Sequence, residues 1–245
     1  MLYIGREKMD GVRRASGPDW PALFATRARS ARHHALQAFY RKGMIGADTP
    51  LHDVPLVALD FETTGLDPRR HGIISVGLIP FDYRRIRCAD ARHWLVKPRK
   101  KLTADSITVH GITHSQIAAA PDLQVILEDL LSQLRGRVVV AHHGVIERGF
   151  LDAALKARIG EGIAFPLIDT MALEARVHRR QQGWWDRLRG RQPASIRLAQ
   201  SRARYHLPHY RPHHALTDAL ACAELLQAQI AHRFRPDTPI AQIWQ

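Results

Sequence analysis

Val57-Ala58-Leu59-Asp60-Phe61-Glu62-Thr63-Thr64-Gly65 is the stretch on which the reading of this chain turns. Its composition is that of a buried strand, yet two carboxylates interrupt it. Side chains alternate along a strand with a period of two, so Asp60 and Glu62 point to one face while Val57, Leu59 and Phe61 line the other. Ionised carboxylates held side by side out of water are costly unless a cation offsets them. Oxygen ligands select a hard divalent ion, so Mg²⁺ or Mn²⁺ is expected beside this strand. The rival reading is a solvated strand end rich in acidic residues, and the remainder of the chain argues against it.

With 245 residues and 45% hydrophobic content, the chain can bury the core of one α/β domain of roughly 180 residues and carry an appendage. The opening residues lack an apolar signal segment, and no apolar run approaches the roughly 18 residues that cross a bilayer. A cytoplasmic protein without a membrane partner is the expectation. Cys88 and Cys222 are the two cysteines, far apart and without Cys or His at finger spacing. That pattern points away from disulfides and from a structural zinc module, and both are expected to be core thiols. The net charge of +13 is regional: residues 1–50 carry nine Lys or Arg against four Asp or Glu, and residues 171–214 ten against two. A near-neutral body with basic appendages suits a phosphate-rich partner, although solvated surface arginine gives the same balance.

Residues 1–50 form a basic N-terminal extension with one amphipathic helix predicted over 21–42. Strands are predicted at 56–61, 72–81 and about 85–96, close enough for a meander. A helix carrying Leu123, Ile126, Leu127, Leu130 and Leu134 at 3.6 spacing leads to a strand at 137–141, and strand–helix alternation follows. It runs through a helix near 145–158, a strand near 165–168, a helix opening at Asp169-Thr170 and a last helix with Leu216, Leu220, Ala223 and Leu226. Between 176 and 212 the pattern breaks into a basic insertion with a short helix at about 195–205. There Trp184 and Trp185, among Arg179, Arg180, Arg187, Arg189 and Arg191, form either a base-stacking surface or ordinary packing. Residues 51–235 are taken as the domain and 236–245 as a C-terminal tail.

Three further stretches carry chemistry. Thr63-Thr64-Gly65-Leu66-Asp67 closes the acidic strand in a turn; His142-His143-Gly144-Val145-Ile146-Glu147 precedes Phe150-Leu151; and His213-His214-Ala215-Leu216-Thr217-Asp218-Ala219 opens the last helix. With these motifs the chain resembles the DEDD family of 3′–5′ exonucleases, in the His-containing branch typified by the proofreading subunit of bacterial replicative DNA polymerase. The first motif matches nearly letter for letter, and the third keeps the family spacing of His, four residues, then Asp. Smaller echoes are His110-Gly111-Ile112-Thr113 and Ile168-Asp169-Thr170. The second motif departs: the family has His-Asn and later Asp where this chain has His142-His143 and Glu147. Asp152 is a reserve for that ligand position, though its helical position turns it elsewhere.

The resemblance implies a ribonuclease H-like α/β fold with a mixed five-stranded sheet. It also implies hydrolysis of single-stranded DNA or RNA from 3′ ends to nucleoside monophosphates, with a DNA polymerase assembly as a further partner. Asp60, Glu62, Glu147 and Asp218 would hold two divalent cations, Mg²⁺ or Mn²⁺. His213 would be the general base, and Thr63, Thr64, Gly65, His110 and His143 would contact substrate. The rival is a degenerate relative that binds nucleic acid or a polymerase without cleaving. His206, His209, His213 and His214 also cluster, but Pro208 and Pro212 and the lack of Cys argue against a preset tetrahedral zinc site.

Overall fold

The computed structural model describes residues 17–99, 111–181 and 194–245. The predicted N-terminal helix is two: α1 (Trp20–Ser30) and α2 (His34–Arg41). Asp19 caps α1 by accepting from the Ala22 N–H. The break between them is imposed from outside, because the Glu161 carboxylate accepts the backbone N–H groups of Arg32 and His33 at 2.9 and 2.7 Å. That tertiary contact holds the residues between the two helices, and the His33 ring then caps α2 by accepting the Ala35 N–H at 3.3 Å, where local periodicity would have continued the old helix.

A single sheet follows, built from β1 (Leu56–Thr63), β2 (Ile73–Phe81), β3 (Arg92–Leu95), β4 (Val138–Ala141) and β5 (Leu167–Asp169). Its strand order is β3-β2-β1-β4-β5. The first three strands form the expected antiparallel meander, and β4 and β5 run parallel to β1. Strand β3 is shorter than predicted. Asp82 accepts the N–H groups of Arg84 and Arg85, and a 3₁₀ turn at Cys88–Asp90 occupies the approach. That turn leaves Cys88 exposed, correcting its assignment to the core, whereas Cys222 is buried.

Helices α3 (His114–Ala119), α4 (Leu123–Leu134), α5 (Val145–Ile159), α6 (Thr170–Gln181), α7 (Leu198–Arg204) and α8 (Ala215–Arg233) complete the chain. Apolar runs on α4 and β4 are buried as predicted, and α8 lies across β1 and β2. The last ten residues pack rather than trail. Ile240, Ile243 and Trp244 are buried, and Gln245 and Leu167 exchange backbone hydrogen bonds of 2.8 and 3.2 Å. Among the described residues, no helix is long and apolar enough to cross a membrane.

Candidate active site

The carboxylates of β1 meet α8 because of what lies opposite them. Asp60 pairs in register with Gly77 on β2, and Gly77 pairs with His93 on β3. A Cβ at Gly77 would fall 2.1 Å from the backbone carbon of Ala215. Glycine there opens a notch in the sheet, and the first turn of α8 sits in it. Within that notch Asp60, Glu62 and Asp218 each offer a carboxylate oxygen, all within 4.8 Å of one another. Asp218 is fixed by its own helix start, accepting the N–H groups of His213 and His214 at 2.8 and 3.3 Å.

Glu147 enters from α5, 3% exposed, and its Oε2 has no hydrogen-bond partner. A glycine and an aspartate govern its approach. Asp169 at the end of β5 accepts the N–H groups of His143 and Gly144 at 3.1 Å each, and those of Met171 and Ala172 besides. One carboxylate thus ties the starts of α5 and α6 together. Gly144 allows the close approach, since a Cβ there would lie 2.0 Å from Leu167.

The electrostatics are those of an acidic pocket short of positive charge. Burial, then the charges of Glu147, Asp218 and Glu62, hold the Asp60 carboxyl well above the usual range. Burial, with a contribution from Asp169, pushes Glu147 up to about 8, and burial raises Asp218. Oxygen donors, partly desolvated, mutually repelling and with one buried oxygen unpartnered, fit a divalent cation. This cluster can hold a metal ion; the zinc alternative built on the four loop histidines finds no support, since Asp60, Glu62 and Asp218 are the cluster of metal-ligating side chains found among the described residues.

Other predicted residues fall as follows. His213 and His214 are exposed, with His213 in a left-handed conformation at φ 69°. His143 is exposed at φ 80° on the turn entering α5. Thr63 and Thr64 are buried and build the turn itself: Thr63 Oγ1 donates to the Gly65 carbonyl at 2.7 Å, and Thr64 Oγ1 accepts from the Gly72 N–H at 3.0 Å. His110 lies outside the described residues, as do Trp184, Trp185, Arg187, Arg189 and Arg191. Asp152 points away from the cluster, accepting from the Ile163 N–H and pairing with Lys156 at 2.7 Å.

A model of the exonuclease family matches residues 57–226, which include all of these carboxylates. The chain belongs to that family. As an exonuclease-family member it is 33% identical over 126 residues to a PolC-type DNA polymerase III of Thermotoga maritima, covering 51% of this chain but 9% of that polymerase. It is 27% identical over 179 residues to the DNA polymerase III subunit epsilon of Treponema pallidum, covering 73% and 78% of the two chains. Among solved structures, the nuclease domain of 3′hExo, a DEDDh family member bound to rAMP, superposes with a TM-score of 0.58 at 16% identity, over 74% of this chain and 94% of that one. The ribonuclease H-like fold and the DEDD resemblance drawn from the motifs are confirmed.

Two residues of this exonuclease site, Gly77 and His93, escaped the sequence reading, and a third, His142, entered it only as a letter of the second motif. Gly77 had a signal, a lone glycine inside an apolar strand that marks close backbone approach. His93 had none: its ring lies 4.8 Å from that of His214, and its Nε2 is 2.8 Å from the hydroxyl of Ser75, the register partner of Glu62. His142 is half-hidden behind the site, with Nε2–H donating to the Ile196 carbonyl at 3.0 Å and Nδ1 2.8 Å from Thr170 Oγ1. Burial holds its pKa down to about 4, so it stays neutral.

Proposed function

We propose that this chain is a metal-dependent 3′–5′ exonuclease that releases nucleoside monophosphates from single-stranded DNA or RNA ends. The observation that carries the proposal is the convergence of Asp60, Glu62 and Asp218, from two remote segments, within 4.8 Å at the notch opposite Gly77. Asp60, Glu62, Asp218 and Glu147 would hold two divalent cations, Mg²⁺ or Mn²⁺. Bound there, the cations supply the positive charge that favours a deprotonated water and offsets charge growing on the phosphoryl and leaving oxygens. His213, exposed beside Asp218, takes the proton of the attacking water at its imidazole nitrogen. The turn at Thr63, Thr64 and Gly65, whose hydroxyls are engaged internally, presents its backbone to the terminal nucleotide. His143 and, by the family resemblance, His110 would contact the strand, and Leu66, 80% exposed, projects next to the turn.

Relatives that are parts of DNA polymerase III support a polymerase assembly as the setting. Glu147 favours a second reading, a weakly active binder, because it stands outside the cluster of three and replaces the family's aspartate. Incubating a 5′-labelled single strand with Mn²⁺ decides between them. Stepwise laddering by the wild type, lost by at least about a hundredfold in Asp60→Ala with an unchanged melting curve, is expected. A gel shift without laddering, or equal cleavage by the variant, would overturn the enzymatic reading, and matched DNA and RNA strands report the sugar preference.

A further inference from the structure

Residues 171–214 are strongly basic, yet two of their arginines, Arg202 and Arg204, are engaged within the protein. Arg204 donates to Glu174 Oε2 at 2.9 Å, and Glu174 is fully buried. Arg202 is itself 3% exposed and joins α7 to two other segments. Its guanidinium donates to the Ala221 carbonyl of α8 at 2.6 Å, to Glu224 Oε2 on the same helix at 2.7 Å, and to the Pro208 carbonyl of the loop at 2.9 Å. The Tyr210 ring lies 4.6 Å from the guanidinium carbon, and the Tyr210 hydroxyl donates to Glu224 Oε1 at 2.9 Å.

This loop runs straight into His213. Beneath it is a cavity of about 80 Å³ whose lining includes Arg202, Leu207, Pro208, Tyr210, Pro212 and Asp218. That pocket is partly open, so packing alone does not define where the loop lies; the planar, five-donor fork of Arg202 anchors its start, and Asp218 accepts the His213 and His214 N–H groups at its end. Both His206 and His213 adopt left-handed backbone, at φ 55° and 69°, a conformation that persists where surroundings enforce it.

We infer that Arg202 is a positioning residue for the proton-accepting histidine: the Arg202–Glu224–Tyr210 knot fixes the loop from α7 to α8 and thereby sets where His213 stands relative to Asp218. The inference rests on the reading of His213 as the base. The knot itself touches no metal-ligating oxygen and reaches the site only through the loop whose His213 and His214 N–H groups Asp218 accepts, so it acts chiefly on the rate of the chemical step. Displacement of a reacting group by about an ångström costs up to about a hundredfold in rate.

A double-mutant cycle tests it, using Mn²⁺-dependent degradation of a 5′-labelled oligonucleotide by the full chain. Arg202→Met is expected to lower kcat about tenfold or more, with KM and the Mn²⁺ Kd within about threefold of wild type. In a His213→Ala background the same change is expected to cost less than about twofold, because a positioning residue has nothing left to position. Losses that multiply, or a wild-type kcat in Arg202→Met where His213→Ala is crippled, would overturn the knot and leave the base assignment standing. A wild-type kcat in His213→Ala would instead remove the base assignment and the inference with it. Should Arg202→Met lack a cooperative melting transition, Tyr210→Leu, which keeps the guanidinium and removes one side of the knot, is expected to show the same pattern at about fivefold, and wild-type kcat in that variant overturns the inference.

Discussion

Glu147 carries one methylene more than the aspartate that the family resemblance leads one to expect at its position. The side chain is buried in the first turn of α5, one oxygen lacks a partner, and its charge helps raise Asp60. Shortening it by about an ångström or more withdraws an uncompensated carboxylate toward the helix start. Glu147→Asp is expected to cleave at least as fast as wild type in a steady-state assay; a hundredfold loss would show that the ligand geometry is built around glutamate. Titration gives a second expectation. With Glu147 at about 8 against an ordinary 4.5, the folded metal-free protein holds a proton that the unfolded chain has released. Its stability is therefore full below about 4.5 and is lost as pH rises through about 8. His142 works from the other side: pushed from 6.5 down to about 4, it removes stability as pH falls through that window. Thermal melts in chelator are expected to be nearly level between roughly pH 4.5 and 6.5, where the two contributions oppose each other, and to decline towards pH 8, with added Mn²⁺ recovering most at the alkaline end because binding favours the deprotonated ligands. A melting temperature flat from pH 6 to 9 in chelator would contradict the buried acidic pocket.

At the level of elements, the site depends on α8 seating against β2. The contact is backbone to backbone, so the residue that permits it is the one with no side chain. Gly77→Val is expected to destabilise by about 3 kcal/mol or more, since its first added carbon would lie 2.1 Å from Ala215, and to abolish cleavage by lifting Asp218 from Asp60. Chemical denaturation and the laddering assay check both parts, and a variant with wild-type stability would mean that α8 seats elsewhere. Sequence made much of this element visible and part of it not. The alternation of β1 placed Asp60 and Glu62 together, and the helical reading placed Asp218 in the first turns of α8, because both patterns are local. The partner across the sheet is not local. That Asp60 faces Gly77 and then His93 is a matter of register, which is fixed by pairing between distant strands. For the same reason the split between α1 and α2 was illegible: nothing within residues 21–42 announces that Glu161 will hold the Arg32 and His33 N–H groups between the helices.

For the molecule as a whole, both ends of the described chain belong to the core. Composition suggested a basic extension at one end and a tail at the other, because charge counts report surfaces and not what lies under them. Arg148 joins the two. Its guanidinium donates to the Phe165 and Gln245 carbonyls at 3.0 and 2.6 Å, and it lies 5.8 Å from the ring centres of both Trp20 and Phe165. Since Arg148 follows Glu147 directly, the helix that carries the second motif is clamped by residues the motif reading assigned to appendages. Phe24 is the aromatic hub of this junction, fully buried, with its ring 5.3 Å from a tilted Phe39 and 5.1 Å from an edge-on Tyr40, whose hydroxyl accepts the Ala164 N–H. An independent appendage would unfold by itself and leave the domain's main transition untouched. A shared core predicts the opposite: Phe24→Ala costs about 3–5 kcal/mol and lowers the melting temperature of the single transition by roughly 10 °C, as followed by calorimetry. A main transition unmoved by that substitution would separate α1 and α2 from the domain.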